Sequence, residues 1–209
     1  ESVNVDALTL GASNVNAFVG SNGGSVNELG LKLSGVEFGL ALLTDQATPS
    51  KQWTSLQATA NTGAFVGIEG MTIAADTLAV SINRAANDES LIDYATQGLQ
   101  IVTGSSVSTT LNMAAGEGEL LEVSGNLSID LFGFFQVSGG FALKQSSGEV
   151  VLEGSATATP VDLLTLGAAN VSAFAGINGG TDDAVGFSLA GVDFALAIMT
   201  DQADAARTW

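Results

Sequence analysis

The first fifty residues of the chain return near its end, and this internal repeat restricts the possible folds more than any other feature. Residues 5–12 (VDALTLGA) return as residues 161–168 (VDLLTLGA), and at the same offset of 156 residues Trp53 falls on Trp209. Between the two segments 27 of 49 aligned pairs are identical, whereas unrelated sequences of ordinary composition share roughly one residue in fifteen. We therefore expect the two segments to share one conformation.

The repeat also predicts how the chain is organised. Residues 5–160 form one full unit of 156 residues, and residues 161–209 form the first third of the next unit. A chain that stops inside a unit indicates a longer array. Stacked repeats bury faces that one unit cannot bury alone, so we expect an architecture that extends along one dimension.

Alternating apolar and polar residues predict β-strands. From 123 to 143 the odd positions are apolar or glycine and the even ones are mostly polar, which is the period of a strand with one buried face. The run is longer than a usual strand, so Gly125, Gly133 and Gly139 are interpreted as bends. By composition, residues 144–149 (KQSSGE) form a hairpin turn.

These patterns predict an all-β fold. Small inward-facing residues favour an elongated, β-solenoid-like repeat architecture, while the turn at 144–149 favours the alternative of stacked antiparallel sheets or sandwiches. The alternation changes phase at Gly35, which indicates a corner or a bulge. One short helix is predicted near 88–97, where Asp88 would cap a face carrying Leu91 and Tyr94.

Composition excludes several functions. The chain has 22 acidic and five basic residues, a net charge of −17, and such a surface repels the phosphates of nucleic acids. It contains neither cysteine nor histidine, so thiol nucleophiles, imidazole bases and His- or Cys-ligated zinc are absent, and we do not expect an enzyme. No apolar stretch reaches the roughly 18 residues of a membrane span.

Two aspartates are candidate calcium ligands. Asp45 and Asp201 lie in the tetrad Thr-Asp-Gln-Ala that both copies of the repeat contain. Their carboxylates could coordinate Ca²⁺, which prefers oxygen ligands. The alternative interpretation is an acid that closes a turn by accepting backbone N–H groups. No other cofactor is expected.

Four aromatic residues are candidate contact residues. Trp53 and Trp209 occupy matching positions of the repeat, where they could stack on sugars or anchor packing in the core or between repeats. Phe132 and Phe134 occupy even positions in the alternating run, on its otherwise polar face. They could form a lateral contact between sheets or subunits, or lie under a loop of the same chain.

Three segments carry a resemblance to a known family: residues 131–143 (LFGFFQVSGGFAL), the Leu-Thr-Leu-Gly-Ala motif at 8–12 and the Gly-Val-Glu/Asp-Phe motif at 35–38 and 191–194. Together they resemble the giant tandem-repeat cell-surface proteins of bacteria, known as adhesin-like or hemolysin-type repeat proteins. The resemblance implies a location outside the cell and a role in attachment or fibre formation. The Gly-Gly-x-Gly-x-Asp nonapeptide of calcium-binding toxin repeats is missing, so no calcium site follows from it.

The repeat and the resemblance together favour a structural function. We expect a module of an extracellular or cell-surface filament or stalk whose units stack end to end, with neighbouring repeats or further copies of the chain as partners. The alternative is an adhesin-type binding module that recognises carbohydrate or a host surface. The acidic composition argues against nucleic acid as a partner in either case.

Overall fold

A computed structural model describes residues 2–209, and nearly all of its regular structure is β-strand. Ten strands are present: β1 (Val5–Ser21), β2 (Leu29–Asp45), β3 (Gln52–Val66), β4 (Met71–Arg84), β5 (Leu99–Gly104), β6 (Val107–Leu111), β7 (Leu120–Leu131), β8 (Phe135–Val151), β9 (Ala158–Ile177) and β10 (Val185–Asp201). In this part of the chain no helix has the length and apolarity needed to cross a bilayer. The all-β prediction is confirmed.

Eight of the strands form one antiparallel sheet in the order β1-β2-β3-β4-β7-β8-β9-β10. Strands β5 and β6 form a separate hairpin, inserted between β4 and β7. The strands are antiparallel, as in the predicted alternative, but they form a single sheet and not a stack or sandwich. No solenoid winding closes within residues 2–209, and the elongated repeat architecture stays a prediction. A meander of this kind needs only short connections between neighbouring strands.

The long alternating run forms strands β7 and β8 and the turn between them. Leu131 pairs with Phe135, so the loop has three residues, and Phe132 and Gly133 within it have positive φ, 57° and 67°, as in type I′ turns. Odd positions then pair with odd positions, for example Val123 with Leu143, so they share one face as the alternation predicts. Gly133 is a bend, as predicted.

The predicted turn at residues 144–149 is wrong. The segment lies inside β8, where Ser146 pairs with Leu163 of β9 and is buried. The chain reverses instead over residues 152–157. Pairing with a neighbouring strand has overridden the local preference of serine and glycine for turns.

A line of irregularities crosses the middle of the sheet. Asn14 in β1, Gly35 in β2 and Thr77 in β4 have positive φ, and register shifts occur beside Asn14 and Thr77. Asn170 and Gly191 continue the line in β9 and β10. The phase change at Gly35 is therefore a bulge, as the sequence predicts.

The helix predicted near 88–97 is also wrong. The carboxylate of Asp88 accepts bonds from the backbone N–H and the hydroxyl of Ser90, at 3.3 and 2.6 Å. Asp93 accepts the N–H groups of Ala95 and Ala115 at 3.2 Å each. Such side-chain-to-backbone bonds compete with the helical ladder, and a 3-10 turn at Ala115–Glu117 is the one helical element of the described residues.

The connection between β4 and β7, residues 85–119, folds back over one face of β1, β2 and β3. We call this connection the cap; it contains the β5–β6 hairpin. The hydrophobic core lies between the cap and the sheet, where Ile101 and Leu111 of the cap pack with Leu43 and Trp53 of the sheet. The core therefore lies on one face of the sheet, at one end of the strand order.

The two copies of the repeat have the same conformation. Strands β9 and β10 repeat β1 and β2, with Val161 opposite Asp201 as Val5 is opposite Asp45. The positive-φ positions also match: Asn14 with Asn170, and Gly35 with Gly191. A residue and its equivalent in the next copy thus lie six strand positions apart, with five strands between them.

Candidate interaction surfaces

Small residues form the floor on which the cap lies. Gly39 and Ala41 of β2 face the cap, with Gly11 of β1 opposite Gly39. A Cβ atom on Gly11 would lie 2.3 Å from the carbonyl oxygen of Val102, and one on Gly39 would lie 2.5 Å from the Cγ2 of Thr109. Side chains at these positions would push the β5–β6 hairpin off the sheet.

Trp53 anchors the first loop of the cap. Its side chain is only 3% exposed, and its indole N–H donates to the carbonyl of Ser90 at 2.9 Å. The ammonium of Lys51 lies 5.6 Å from the centre of the indole ring and 2.8 Å from the Asp88 carboxylate. Of the two interpretations given for this tryptophan, the structure matches the packing anchor.

A chain of buried hydrogen bonds lies beside Trp53. The Tyr94 hydroxyl donates to Ser55 Oγ at 2.9 Å, and Ser55 Oγ donates to Asn83 Oδ1 at 2.9 Å. Asn83 Nδ2 in turn donates to the carbonyl of Ile92 at 3.0 Å. Burial raises the pKa of Tyr94. Ser55 and Asn83 were not recognised in the sequence, where isolated polar residues in strands carry no signal of a distant partner.

The second copy presents a similar floor, with Ala195 in the place of Gly39, and no cap lies over it in the described residues. Trp209 is 43% exposed, although its backbone exchanges two 3.0 Å hydrogen bonds with Met199 in the positions that Trp53 and Leu43 occupy in the first copy. A Cβ atom on Gly167, the equivalent of Gly11, would meet no atom within 4 Å.

The basic residue beside each tryptophan also corresponds. Arg207, the equivalent of Lys51, lies 5.2 Å from the centre of the Trp209 ring. Lys51 pairs with Asp88 of the cap, whereas Arg207 pairs with Asp201 at 2.9 Å. The cation and its aromatic partner therefore persist in both copies, and the acidic partner differs because, within residues 2–209, the cap lies over the first copy alone.

Both candidate calcium ligands close turns. Asp45 accepts the backbone N–H groups of Ala47 and Thr48 at 2.8 and 3.2 Å. Asp201 accepts the N–H of Ala203 at 2.8 Å and pairs with Arg207. Five strands separate the two aspartates, and residues 2–209 contain no cluster of three acidic side chains suited to a metal ion. The geometry matches the alternative interpretation, a turn closed by a carboxylate.

The two candidate phenylalanines lie at the turn between β7 and β8, at one end of the sheet. Phe132 is 72% and Phe134 58% exposed. The Phe132 ring lies over Gly70 in the turn between β3 and β4. The structure does not bring them near either tryptophan. A lateral contact through these rings stays a prediction.

Two apolar rungs cross the whole sheet on the face opposite the cap, where cross-strand partners lie side by side. The first rung is Leu10, Leu40, Leu56, Ile82, Leu121, Gln145, Leu164 and Ile198. The second is Ala12, Phe38, Ala58, Val80, Val123, Leu143, Leu166 and Leu196. We call these sixteen residues the apolar face. One of them, Gln145, is polar and none is charged.

The Asp88 carboxyl provides a pH-dependent contact between the cap and the sheet. Its bond with Lys51, and secondly that with Ser90, lower the pKa of Asp88 from 3.8 to about 2. Because the folded pKa is depressed, this contact stabilises the protein above pH 3.8 and is lost as the pH falls toward 2.

We expect a pH titration followed by carboxyl NMR to show this low pKa for Asp88, and we expect Lys51→Ala to raise the pKa. Lys32→Ala removes a basic residue that does not contact Asp88, so it should leave the pKa of Asp88 unchanged. Equal shifts in the two variants would contradict the assignment of Lys51 as the main cause of the low pKa.

Comparison with known proteins finds no similar one: no family model, no curated protein and no solved structure matches the chain. A functional proposal for this chain therefore has to be argued from the surfaces of its structure. They are the edges of the sheet, the floor beneath the cap and the apolar face.

Proposed function

We propose that the chain is a structural repeat module of an extracellular or cell-surface filament, whose units join by extending one antiparallel sheet. The observation that supports this most directly is the pairing of β8 with β9. Strand β9 begins the second copy of the repeat, and it pairs with β8 over nearly its whole length, from Val151 opposite Ala158 to Phe135 opposite Ala175. Two units are thus joined by main-chain hydrogen bonds.

The free edge of β1 fits the same junction. Leu143 of β8 pairs with Leu166 of β9, and the equivalent of Leu166 in the first copy is Leu10 of β1. In the described residues β1 pairs with β2 alone, so its other edge presents unpaired backbone groups that can accept a further strand. A β8-type strand of a preceding unit would place its residue 143 opposite Leu10.

Backbone pairing at the opposite edge supports such an extension. The backbone of Trp209 pairs with Met199 of β10, in the register by which Trp53 of β3 pairs with Leu43 of β2. Both edges of the sheet thus have the geometry to carry the repeat onward. The acidic surface, with its net charge of −17, would keep such filaments soluble.

The length of the assembly tests this proposal. Six strands per repeat, spaced about 4.8 Å apart, give a rise of about 29 Å for each copy. We expect proteins with one, two and three copies of residues 5–160 to lengthen by this increment in small-angle X-ray scattering, at constant cross-section. A compact particle whose largest dimension does not grow with copy number would contradict the proposal.

An adhesin-type module that stacks carbohydrate on its tryptophans is the weaker candidate. The half-exposed ring of Trp209 favours it. Its equivalent, Trp53, is buried beneath the cap and bonded to Ser90, so it offers no ring face to a sugar. We therefore assign the tryptophans to packing between the sheet and a cap.

A further inference from the structure

The apolar face is wide, and much of it is open to solvent. Leu10 is 56% and Leu196 51% exposed, at opposite ends of the two rungs, and Leu143 between them is 38% exposed. The cap lies on the other face, where Ala41 and Leu43 are buried while Leu42 between them is exposed. Contiguous apolar surface of this extent marks an interaction site on a soluble protein.

The size of the face corresponds to that of a stable interface. Eight strands about 4.8 Å apart span about 38 Å, and the two rungs together with the next residue of each strand on the same face, for example Leu40, Phe38 and Val36 of β2, cover about 20 Å. The product is about 800 Å², which equals what each partner buries in an interface of standard size.

We propose that two copies of this chain pack face to face through their apolar faces and form a two-sheet sandwich. A second copy offers a face of the same dimensions, and a two-fold axis places each strand of one sheet against the other. Sheets packed in this way lie about 10 Å apart and interdigitate the kind of Leu, Ile, Val and Phe side chains that form the rungs.

Charge favours a second copy over a membrane or a nucleic acid. Anionic lipid surfaces and phosphate backbones repel a chain with 22 acidic and five basic residues. Two such chains also repel each other, but the apolar face contains no charged residue, and physiological salt screens charges beyond about 8 Å. The dimer should therefore tighten as the salt concentration rises, which is opposite to the behaviour of a contact made by ion pairs.

Analytical ultracentrifugation of the 209-residue protein tests the inference. The chain has a mass of 21.0 kDa, so the expected species at micromolar concentration has twice that mass. Leu143→Glu places a charge in the centre of the face and should weaken the dimer at least 100-fold. Ala142→Glu is the matched control, because Ala142 is exposed and points to the opposite face; this variant should remain dimeric.

Three results would overturn the inference: a wild-type monomer at about 100 µM, a dimer that survives Leu143→Glu, or a dimer that Ala142→Glu disrupts equally. A wild-type monomer that binds neutral phosphatidylcholine vesicles would show that lipid covers the face instead. These outcomes are independent of filament growth, which depends on the sheet edges and is measured as length per repeat.

A second measurement applies if Leu143→Glu does not fold. The chain contains no cysteine, so single cysteines report accessibility without interference. The thiol of Leu196→Cys should react at least tenfold more slowly at a concentration where the dimer forms than at high dilution, whereas that of Ala142→Cys should react equally fast at both. Equal rates for Leu196→Cys at the two concentrations would refute the face-to-face dimer.

Discussion

Replacing Trp53 with alanine is expected to lower the free energy of unfolding by about 3–5 kcal/mol, the usual cost of emptying a buried indole site. The same substitution at Trp209 should lower it by no more than about half of that, because a ring that is 43% exposed buries less apolar area and leaves no closed cavity. Trp53 is 3% exposed and bonded to Ser90, whereas Trp209 is 43% exposed. Trp209 thus serves as the control for Trp53, because its backbone pairs with Met199 as that of Trp53 pairs with Leu43.

Urea unfolding followed by far-UV circular dichroism measures the difference, with both variants at one protein concentration. The chain has two tryptophans, so each variant retains one fluorescent reporter. Emission from Trp53 should be blue-shifted relative to that of Trp209, because its ring is shielded from water. Similar losses of stability in the two variants would contradict the assignment of Trp53 as the anchor of the cap.

The second large effect is expected at Gly11. An alanine there would bring its Cβ to 2.3 Å from the Val102 carbonyl oxygen, and backbone on both sides limits how far the two can separate. We expect Gly11→Ala to destabilise the protein by about 2–3 kcal/mol, as overpacked cores do. Gly167→Ala meets no atom within 4 Å, so it should be neutral or stabilise by up to about 1 kcal/mol through restricting the unfolded chain.

Hydrogen exchange distinguishes a displaced cap from a general loss of stability. In Gly11→Ala the amides of β5 and β6 should exchange faster, while those of β8 and β9 keep their protection. Gly167→Ala should retain the wild-type pattern throughout. Faster exchange in β8 and β9 alone would show that the close approach at Gly11 does not hold the hairpin.

Much of the fold could be predicted from local patterns. Alternation identified the β7–β8 run, its phase change located the bulge at Gly35, and the repeat required β9 and β10 to copy β1 and β2. The predicted turn and the predicted helix were wrong because residues distant in sequence determine the local structure of both segments. Ser146 lies in a turn-like segment but is fixed by pairing with Leu163, and Tyr94 lies in a helix-like segment but donates its N–H to the Met113 carbonyl.

The interaction surfaces were less accessible to sequence reasoning. Alternation shows that Phe38 and Leu40 share a face, but only the register across eight strands aligns Leu40 with a residue as distant as Ile198. The role of Trp53 depends on Ser90, which is 37 positions away and chemically unremarkable in the sequence. A single sequence gives no means of pairing such residues.

The cap enters and leaves the sheet between two adjacent strands, β4 and β7, which pair directly with each other. Residues 85–119 are therefore an insertion that contributes no strand to the eight-stranded sheet. Lengthening, shortening or exchanging this insert in one repeat would leave the strand spacing unchanged in all the others. Successive repeats could in this way display different inserts along one side of a filament of constant pitch.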